Sequence, residues 1–593
     1  MKQPVDMTLL FRNLRLTCQA VADNLGDDPF QFLLQVSRRL PAGVVTPAVR
    51  LVLTAAPAGA TSTPVVVAEM LSGNLAGVKR RLQLALERNK SPRVAVKLAE
   101  IALAANEPAY ADKFLALSSG STGHAAALAR RFWYSGAVTE ATDVLEGAPG
   151  SATRQKGQRA RLKSEQALLS GWAPTLPHAP MEPVPDRVLH LLTNSLPHTR
   201  SGYAERSHSV LLAQQDAGWE TLAVTRIGYP LLVGKLGARQ EDSVDGVRYR
   251  RLLPASLAAN PAGRLQQQAE ETLRLALEFR PSVIHTTTHF INGLVAKAVA
   301  DALGIPWVYE VRGQLADTWA STRGPEAKES ERYKLFRERE AGIMRSADLV
   351  ITLGQAMKDN IVAAGVPEAK IVIAPNAVGG EYLVRPPEVS EARTLLGLEQ
   401  DVQIIGTVSS LVPYEGLDDL ISAFTFLAPT NPHLRLLIVG SGVSLPALQD
   451  QARRSGFGDR VVFTGLVPAG RARAYHQALD IFVVPRKNLD VTRSVTPLKP
   501  VEAMASARPV VASALPALSE IVEDGHTGLL VAPEDPAALA KALDSLLADA
   551  TLRKAMGRHG RDRVLATRTW AANAAATVQA YRFIATEQSR RTH

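Results

Sequence analysis

Residues 403–442 read QIIGTVSSLVPYEGLDDLISAFTFLAPTNPHLRLLIVGSG. A short apolar run ends in Ser409-Ser410, and a loop with Pro413, Tyr414, Glu415 and Gly416 follows. A helix with an apolar face starts near Leu417, and a second apolar run closes on Gly440-Ser441-Gly442. Run, turn, helix and run make the βαβ unit of a parallel sheet, because parallel strands need a long crossover. Both glycine-bearing loops lie at carboxyl ends of strands, where open α/β sheets bind their ligands. Glycines there let backbone N–H groups approach an anion, and the helix start adds its positive end. Ser409, Gly416, Gly440 and Gly442 are therefore candidate anion contacts, although plain strand-to-helix punctuation uses the same residues.

The texture extends in both directions. Strands are expected at 403–408, 434–439, 461–464, 481–484, 509–512 and 528–531, and upstream at 187–192, 221–225, 283–285, 307–311, 349–352 and 371–373. Two α/β units in tandem follow, 187–382 and 399–568, each about 200 residues and a comfortable domain size. The cleft between them is the natural active site. Residues 1–170 carry apolar residues at helical spacing, as in Val78, Leu82, Leu86 and Val94, Leu98, Ile101, with a break at Ser135-Gly136. Residues 171–186, with Pro174, Pro177, Pro180, Pro183 and Pro185, read as a linker. Residues 569–593 form a last helix.

The chain of 593 residues is 46% hydrophobic and 21% charged, which excludes one small module and bulk disorder. A lone cysteine, Cys18, cannot form an internal disulfide, so a reducing compartment, the cytoplasm, is expected. The stretch Met1-Lys2-Gln3-Pro4-Val5-Asp6 shows no export signal. The uncharged stretch 51–68 contains Pro57, Gly59 and Pro64 and makes a poor membrane helix. Of the net charge of +10, residues 1–180 hold +8, from 21 basic and 13 acidic side chains. That excess favours an anionic surface, in particular a peripheral contact with the inner face of a membrane. Solvated helix faces are the commoner account of such charge runs. Nucleic acid is not expected, because 5% aromatic residues give few stacking platforms.

Further runs carry a resemblance. Val461-Val462-Phe463-Thr464-Gly465, Ala478-Leu479-Asp480-Ile481-Phe482-Val483-Val484-Pro485, Thr496-Pro497-Leu498-Lys499-Pro500-Val501-Glu502-Ala503-Met504-Ala505 and Glu520-Ile521-Val522-Glu523-Asp524-Gly525-His526-Thr527-Gly528 follow in order. The segment 406–531 resembles the C-terminal half of the family 4, or group 1, retaining glycosyltransferases. The resemblance implies a GT-B fold, two tandem Rossmann-like domains here preceded by the α-helical region. It implies a nucleotide-diphosphate sugar held as substrate mainly by the second domain, with the acceptor on the first, and neither a cofactor nor a metal. It gives Glu502 the ribose hydroxyls, a task suited to a carboxylate that accepts two bonds. Where the family commonly has a second Glu, this chain has Ser494. Where it has an Arg and a Lys on the loop after residue 406, this chain has Ser409-Ser410 and Glu415. The sequence is similar to a branch carrying Tyr-Glu-Gly with Thr-Pro-Leu-Lys-Pro, in which Lys499 becomes the replacement cation for the leaving diphosphate, with Arg486 and Arg493 in reserve. Thr496, Pro497 and Leu498 fall on the same donor loop.

In the first unit, Pro197-His198-Thr199-Arg200-Ser201-Gly202-Tyr203 is similar to the family's glycine-rich loop after the first strand, making Gly202 a donor or acceptor contact. A functional His is implied near Val283-Ile284-His285-Thr286-Thr287-Thr288-His289, and both His285 and His289 are candidates. The acceptor implied is a cell-envelope glycan, a lipid-linked sugar or a small molecule. Removing residues 1–170 is expected to weaken polymer or liposome binding and to spare donor hydrolysis. A nucleotide-sugar epimerase of GT-B fold and a noncatalytic sugar-nucleotide scaffold are the rival readings.

Overall fold

The computed structural model describes residues 7–37, 42–57, 59–88, 91–148 and 153–592; the stretch Met1–Asp6 lies outside them. Fourteen strands form two sheets among these residues. The first contains β1 (Arg187–Leu192), β2 (Glu220–Thr225), β3 (Glu241–Val244), β4 (Val247–Arg251), β5 (Val283–Thr287), β6 (Trp307–Val311), β7 (Leu349–Thr352) and β8 (Ile371–Ile373), in the order β3-β4-β2-β1-β5-β6-β7-β8. The second contains β9 (Gln403–Val408), β10 (Leu434–Val439), β11 (Val461–Gly465), β12 (Ile481–Val484), β13 (Val510–Ser513) and β14 (Gly528–Val531), in the order β11-β10-β9-β12-β13-β14. Pairing is parallel throughout except between β3 and β4. That hairpin turns on Asp245-Gly246, both at positive φ, the Asp-Gly signal of a two-residue turn that the reading of the sequence passed over.

Alternation along each strand feeds two cores. Leu189, Leu191 and Ile284 face one side of the first sheet, while Val188, Val283 and Val308 face the other, beneath Tyr581 of the helix Trp570–Thr592. In the second sheet Ile405, Leu436 and Ile438 face one way, and Ile404, Leu437 and Val439 the other. Strand order reverses between β1 and β5 in one sheet and between β9 and β12 in the other, the two places where ligand crevices open. The chain crosses between domains twice, at 374–378 and at 568–570, and Val378 pairs with Thr569 where the crossings meet.

The helical region has its own core around Val78, Leu82, Leu98, Ile101 and Phe114, the residues whose spacing announces helices. It is not detachable. Leu16 and Leu168 belong to the core of the first α/β domain. The Asn13 amide donates to the carbonyls of Leu236 and Ala238, both at 2.9 Å. Removing 1–170 would therefore take Leu16 and Leu168 out of the first α/β domain's own core. Residues 171–186 behave as a strap rather than a free linker. Trp172, Leu176 and Met181 pack on the same core, and Ala179 N–H donates to Ala302 O at 2.8 Å. Proline lacks an N–H to satisfy, which suits an extended segment laid along a surface. Among the described residues no helix is long and apolar enough to cross a membrane.

Candidate functional site: a cleft between two sheet edges

Carboxyl-end loops of the two domains meet at Gly313, where an added Cβ would lie 3.5 Å from both Tyr203 Oη and Val495 Cγ2. Around this point the second domain is packed so that only glycine fits. A Cβ on Gly440 would fall 1.9 Å from Ser409 O, one on Gly442 2.2 Å from Leu411 O, and one on Gly416, at φ +68°, 1.8 Å from Pro485 O. These contacts lock the β9, β10 and β12 loops together. The glycines are steric requirements of these loops first. Ser409 Oγ and Thr496 Oγ1 are buried there without a protein partner. Buried hydroxyls are ordinarily satisfied, so both are open to a ligand.

Glu502 sits in the first turn of the helix Lys499–Ala505, whose positive end favours a carboxylate. Its Oε2 accepts from Lys499 Nζ at 3.0 Å and faces His476 Nε2 at 3.5 Å, while Oε1 makes no hydrogen bond among the described residues. Burial alone pushes this carboxyl up, and the Lys499 ammonium and the His476 ring outweigh it, bringing it down to about 2. Glu502 is thus ionised with one oxygen free to accept. His476, fully buried against Phe482 at 5.1 Å, escaped the reading of the sequence. A histidine inside a helical pattern carries no local signal that a carboxylate lies beside it.

The unexpected acid has a partner. Glu415 takes two bonds from Arg486, at 2.7 and 3.2 Å, and Arg486 also donates to Val495 O at 2.9 Å. The pair spans the β9 and β12 loops and neutralises Glu415 in place. Arg486 is committed to it, Lys487 binds Asp418 and Asp419 at 2.9 and 2.7 Å, and Arg493 binds Asn488 at 2.7 Å. Lys499, 37% exposed along its side chain, is the cation bonded directly to Glu502. Ser494 is buried and spends its hydroxyl on Asp490 O at 3.0 Å, inside its own helical turn. Pro497 is buried and Leu498 is the N-cap residue of the Glu502 helix. Thr496 O accepts from Asn376 Nδ2 at 2.8 Å, tying the loop before the Glu502 helix to the interdomain crossing.

The two histidines separate. His285 lies in the middle of β5, buried, stacked on His190 at 4.5 Å and bonded through Nδ1 to Tyr581 of the last helix. It faces the crossing helix, away from the carboxyl-end rim. His289 lies on that rim as N-cap of the helix Phe290–Leu303, its Nδ1 accepting from Ile291 N–H at 3.3 Å. That bond places the proton of the neutral ring on Nε2. Burial, with the charge of Arg332, brings His289 down to about 4, so the ring is neutral at pH 7. Gly202 opens the helix Gly202–Asp216 with nothing within 4 Å of its Cβ position, so space does not demand glycine there. Beside it a buried network takes over. Arg206 and Arg312 bind opposite oxygens of Glu310, at 2.7 and 2.6 Å, and Arg206 reaches Ala374 O and Pro375 O in the crossing. These side chains hold the first domain to the hinge.

Two α/β sheets facing each other across one cleft, with a carboxylate and glycine-locked loops on one side, make a GT-B fold. Residues 201–377 match the family described as glycosyl transferase 4-like domain, and residues 389–563 match glycosyl transferases group 1. Behind its helical region the chain thus carries two domains that match glycosyltransferase family models in tandem. It is 33% identical over 231 residues to a GDP-mannose-dependent alpha-(1-6)-phosphatidylinositol monomannoside mannosyltransferase of Mycolicibacterium smegmatis, spanning 38% of this chain and 60% of that one. It is 27% identical over 371 residues to the D-inositol 3-phosphate glycosyltransferase of Kineococcus radiotolerans, spanning 58% and 82%. Among solved structures, a sucrose-phosphate synthase from Thermosynechococcus elongatus superposes with TM-score 0.56 at 24% identity, over 67% of this chain and 99% of that one. The Anabaena protein HepE in complex with UDP superposes with TM-score 0.52 at 19% identity, over 66% and 99%. These two likenesses concern the fold.

Proposed function

We propose that the protein transfers a sugar, with retention of configuration, from a nucleotide-diphosphate sugar on the second domain to an acceptor on the first. The observation that carries this reading is Glu502, ionised, with Oε1 open beside the glycine-locked loops. A carboxylate so placed accepts from vicinal ribose hydroxyls. Backbone groups of the Gly440–Gly442 loop, Ser409 Oγ and Lys499 then lie on the side where a diphosphate leaves. Lys499 trades its bond to Glu502 for the developing charge, the preorganised stabilisation such a step needs. The departing diphosphate helps take the acceptor proton, and the residues position the partners. His289, neutral with Nε2–H outward of its cap bond, is a donor on the acceptor side, and His285 is a structural residue. Relatives named for phosphatidylinositol mannoside, inositol phosphate and diacylglycerol acceptors support a lipid-linked or polyol acceptor of the cell envelope. Peripheral membrane contact through the basic helical region belongs to this reading.

The test is incubation of the full chain with GDP-mannose, UDP-glucose and related donors, measuring nucleotide release with and without candidate acceptors. Acceptor-dependent release that Glu502→Ala abolishes supports transfer. An epimerised nucleotide sugar without acceptor supports the epimerase, and binding without turnover supports the scaffold.

A further inference from the structure

Arg332, the second residue of the helix Glu331–Ser346, is a cation without an anion. Its guanidinium lies 4.9 Å from the ring centre of Trp133 and 5.3 Å from that of Trp319. Its Nε is buried with no hydrogen-bond partner, and its side chain enters no hydrogen bond or ion pair among the described residues. The neighbouring charges are occupied. Arg323 donates to Tyr134 O and Trp319 O, and Glu165, whose field reaches Arg332, is bound by Arg161 at 2.5 Å. One helical turn on, the Phe336 ring lies tilted 5.2 Å from that of His289, and the charge of Arg332 reaches His289, so the two side chains are neighbours.

Unpaired guanidinium groups this deeply placed are costly unless something compensates. Two indole faces compensate in part through their quadrupoles, and they fix the plane of the guanidinium. A guanidinium fixed in plane presents its remaining N–H groups as a fork, the geometry that matches phosphate oxygens. One wall comes from the helical region, which explains why that region is held so tightly here. A Cβ on Gly136 would fall 2.5 Å from Ser330 Oγ and 2.9 Å from Trp319, and the Glu331 carboxylate accepts from Thr139 N and Oγ1 at 2.8 and 2.6 Å.

We propose that Arg332, walled by Trp133 and Trp319 and flanked by His289, is a phosphate-binding subsite that receives a phosphate group of the acceptor. Its assignment to the acceptor rests on the transferase reading above; its affinity for phosphate does not. The same chemistry is offered by a soluble polyol phosphate and by a phospholipid headgroup, and the experiment separates them.

Full-length protein and the variants Arg332→Gln, Arg332→Lys and Trp133→Phe are titrated calorimetrically with glycerol 3-phosphate and with glycerol. Vesicles of phosphatidylcholine, plain or doped with phosphatidic acid, form the lipid arm, and UDP and GDP are titrated separately. Glycerol 3-phosphate is expected to bind the wild type, with affinity about tenfold weaker or more in Arg332→Gln and partly recovered in Arg332→Lys. Nucleotide affinity should stay within about twofold, because Arg332 lies outside the donor loops. Binding confined to the doped vesicles supports a lipid headgroup, and binding in both arms supports the phosphate group itself. No binding by the wild type in either arm, equal binding by Arg332→Gln, or equal affinity for glycerol overturns the proposal. If neither nucleotide binds while phosphate affinity still depends on Arg332, the donor reading fails and the subsite stands.

Discussion

The two α/β domains fix their cleft-facing loops by different means. In the second, added Cβ atoms on Gly416, Gly440 and Gly442 would fall 1.8 to 2.2 Å from backbone oxygens, so the loops are locked by contacts that tolerate no side chain. In the first, Gly202 has open space around it, and the neighbouring elements are held by Arg206 with Glu310 and Arg312, Arg206 lying 104 positions before Glu310. A steric lock leaves its mark in the local sequence. A long-range charge network does not, which is why the second domain is the more legible half.

Gly416→Ala tests this difference most severely. It combines positive φ with a 1.8 Å clash, so a loss of about 4 kcal/mol or more is expected by urea unfolding. Gly202→Ala should stay within about 0.5 kcal/mol, and equal losses would break the comparison. Next comes Arg486→Ala, which strands Glu415 in a nearly enclosed site and should cost about 3 kcal/mol. Adding Glu415→Gln should return most of that, since the loss comes from the orphaned charge. Tyr581→Phe, on the other side of the comparison, removes the partner of His285 Nδ1 and Gln214 Nε2 and should cost about 1–2 kcal/mol. Glu502→Gln should weaken nucleotide binding about tenfold with little change in stability, because the open oxygen serves the ligand and not the fold.

The smallest effect at pH 7 concerns His289, already neutral there with its folded value near 4. Its value lies below that of an unfolded histidine, so the unfolded chain takes up the proton first. Stability is lost as pH falls from about 6.5 toward 4. His289→Asn keeps a capping side chain and should flatten that stretch of the pH–stability curve, with the wild-type ring titrating near 4 by NMR.

The expected strands appear with at most small shifts of their ends, because apolar runs bounded by glycine and proline are local signals. Glu502 with Lys499 was legible for the same reason, three positions apart in one helical turn. The partnership of Glu415 with Arg486 was not, since 71 positions separate them. Nor was the choice between His285 and His289, four residues apart, because a strand residue and a cap residue look alike until the crossing helix brings Tyr581 to one of them. Composition marks the Pro-rich stretch as a linker, and the apolar residues between its prolines bind it to the first α/β domain.

By itself the chain's sequence determined two parallel sheets, a helical region ahead of them, and a carboxylate at the start of a helix near glycine loops. Periodicity, turn chemistry and short-range spacing encode these within a few residues. Tertiary structure alone decided which charges neutralise one another and which histidine reaches the rim. It also set Arg332 between two tryptophans from different regions, because those outcomes depend on side chains that meet only when distant segments pack.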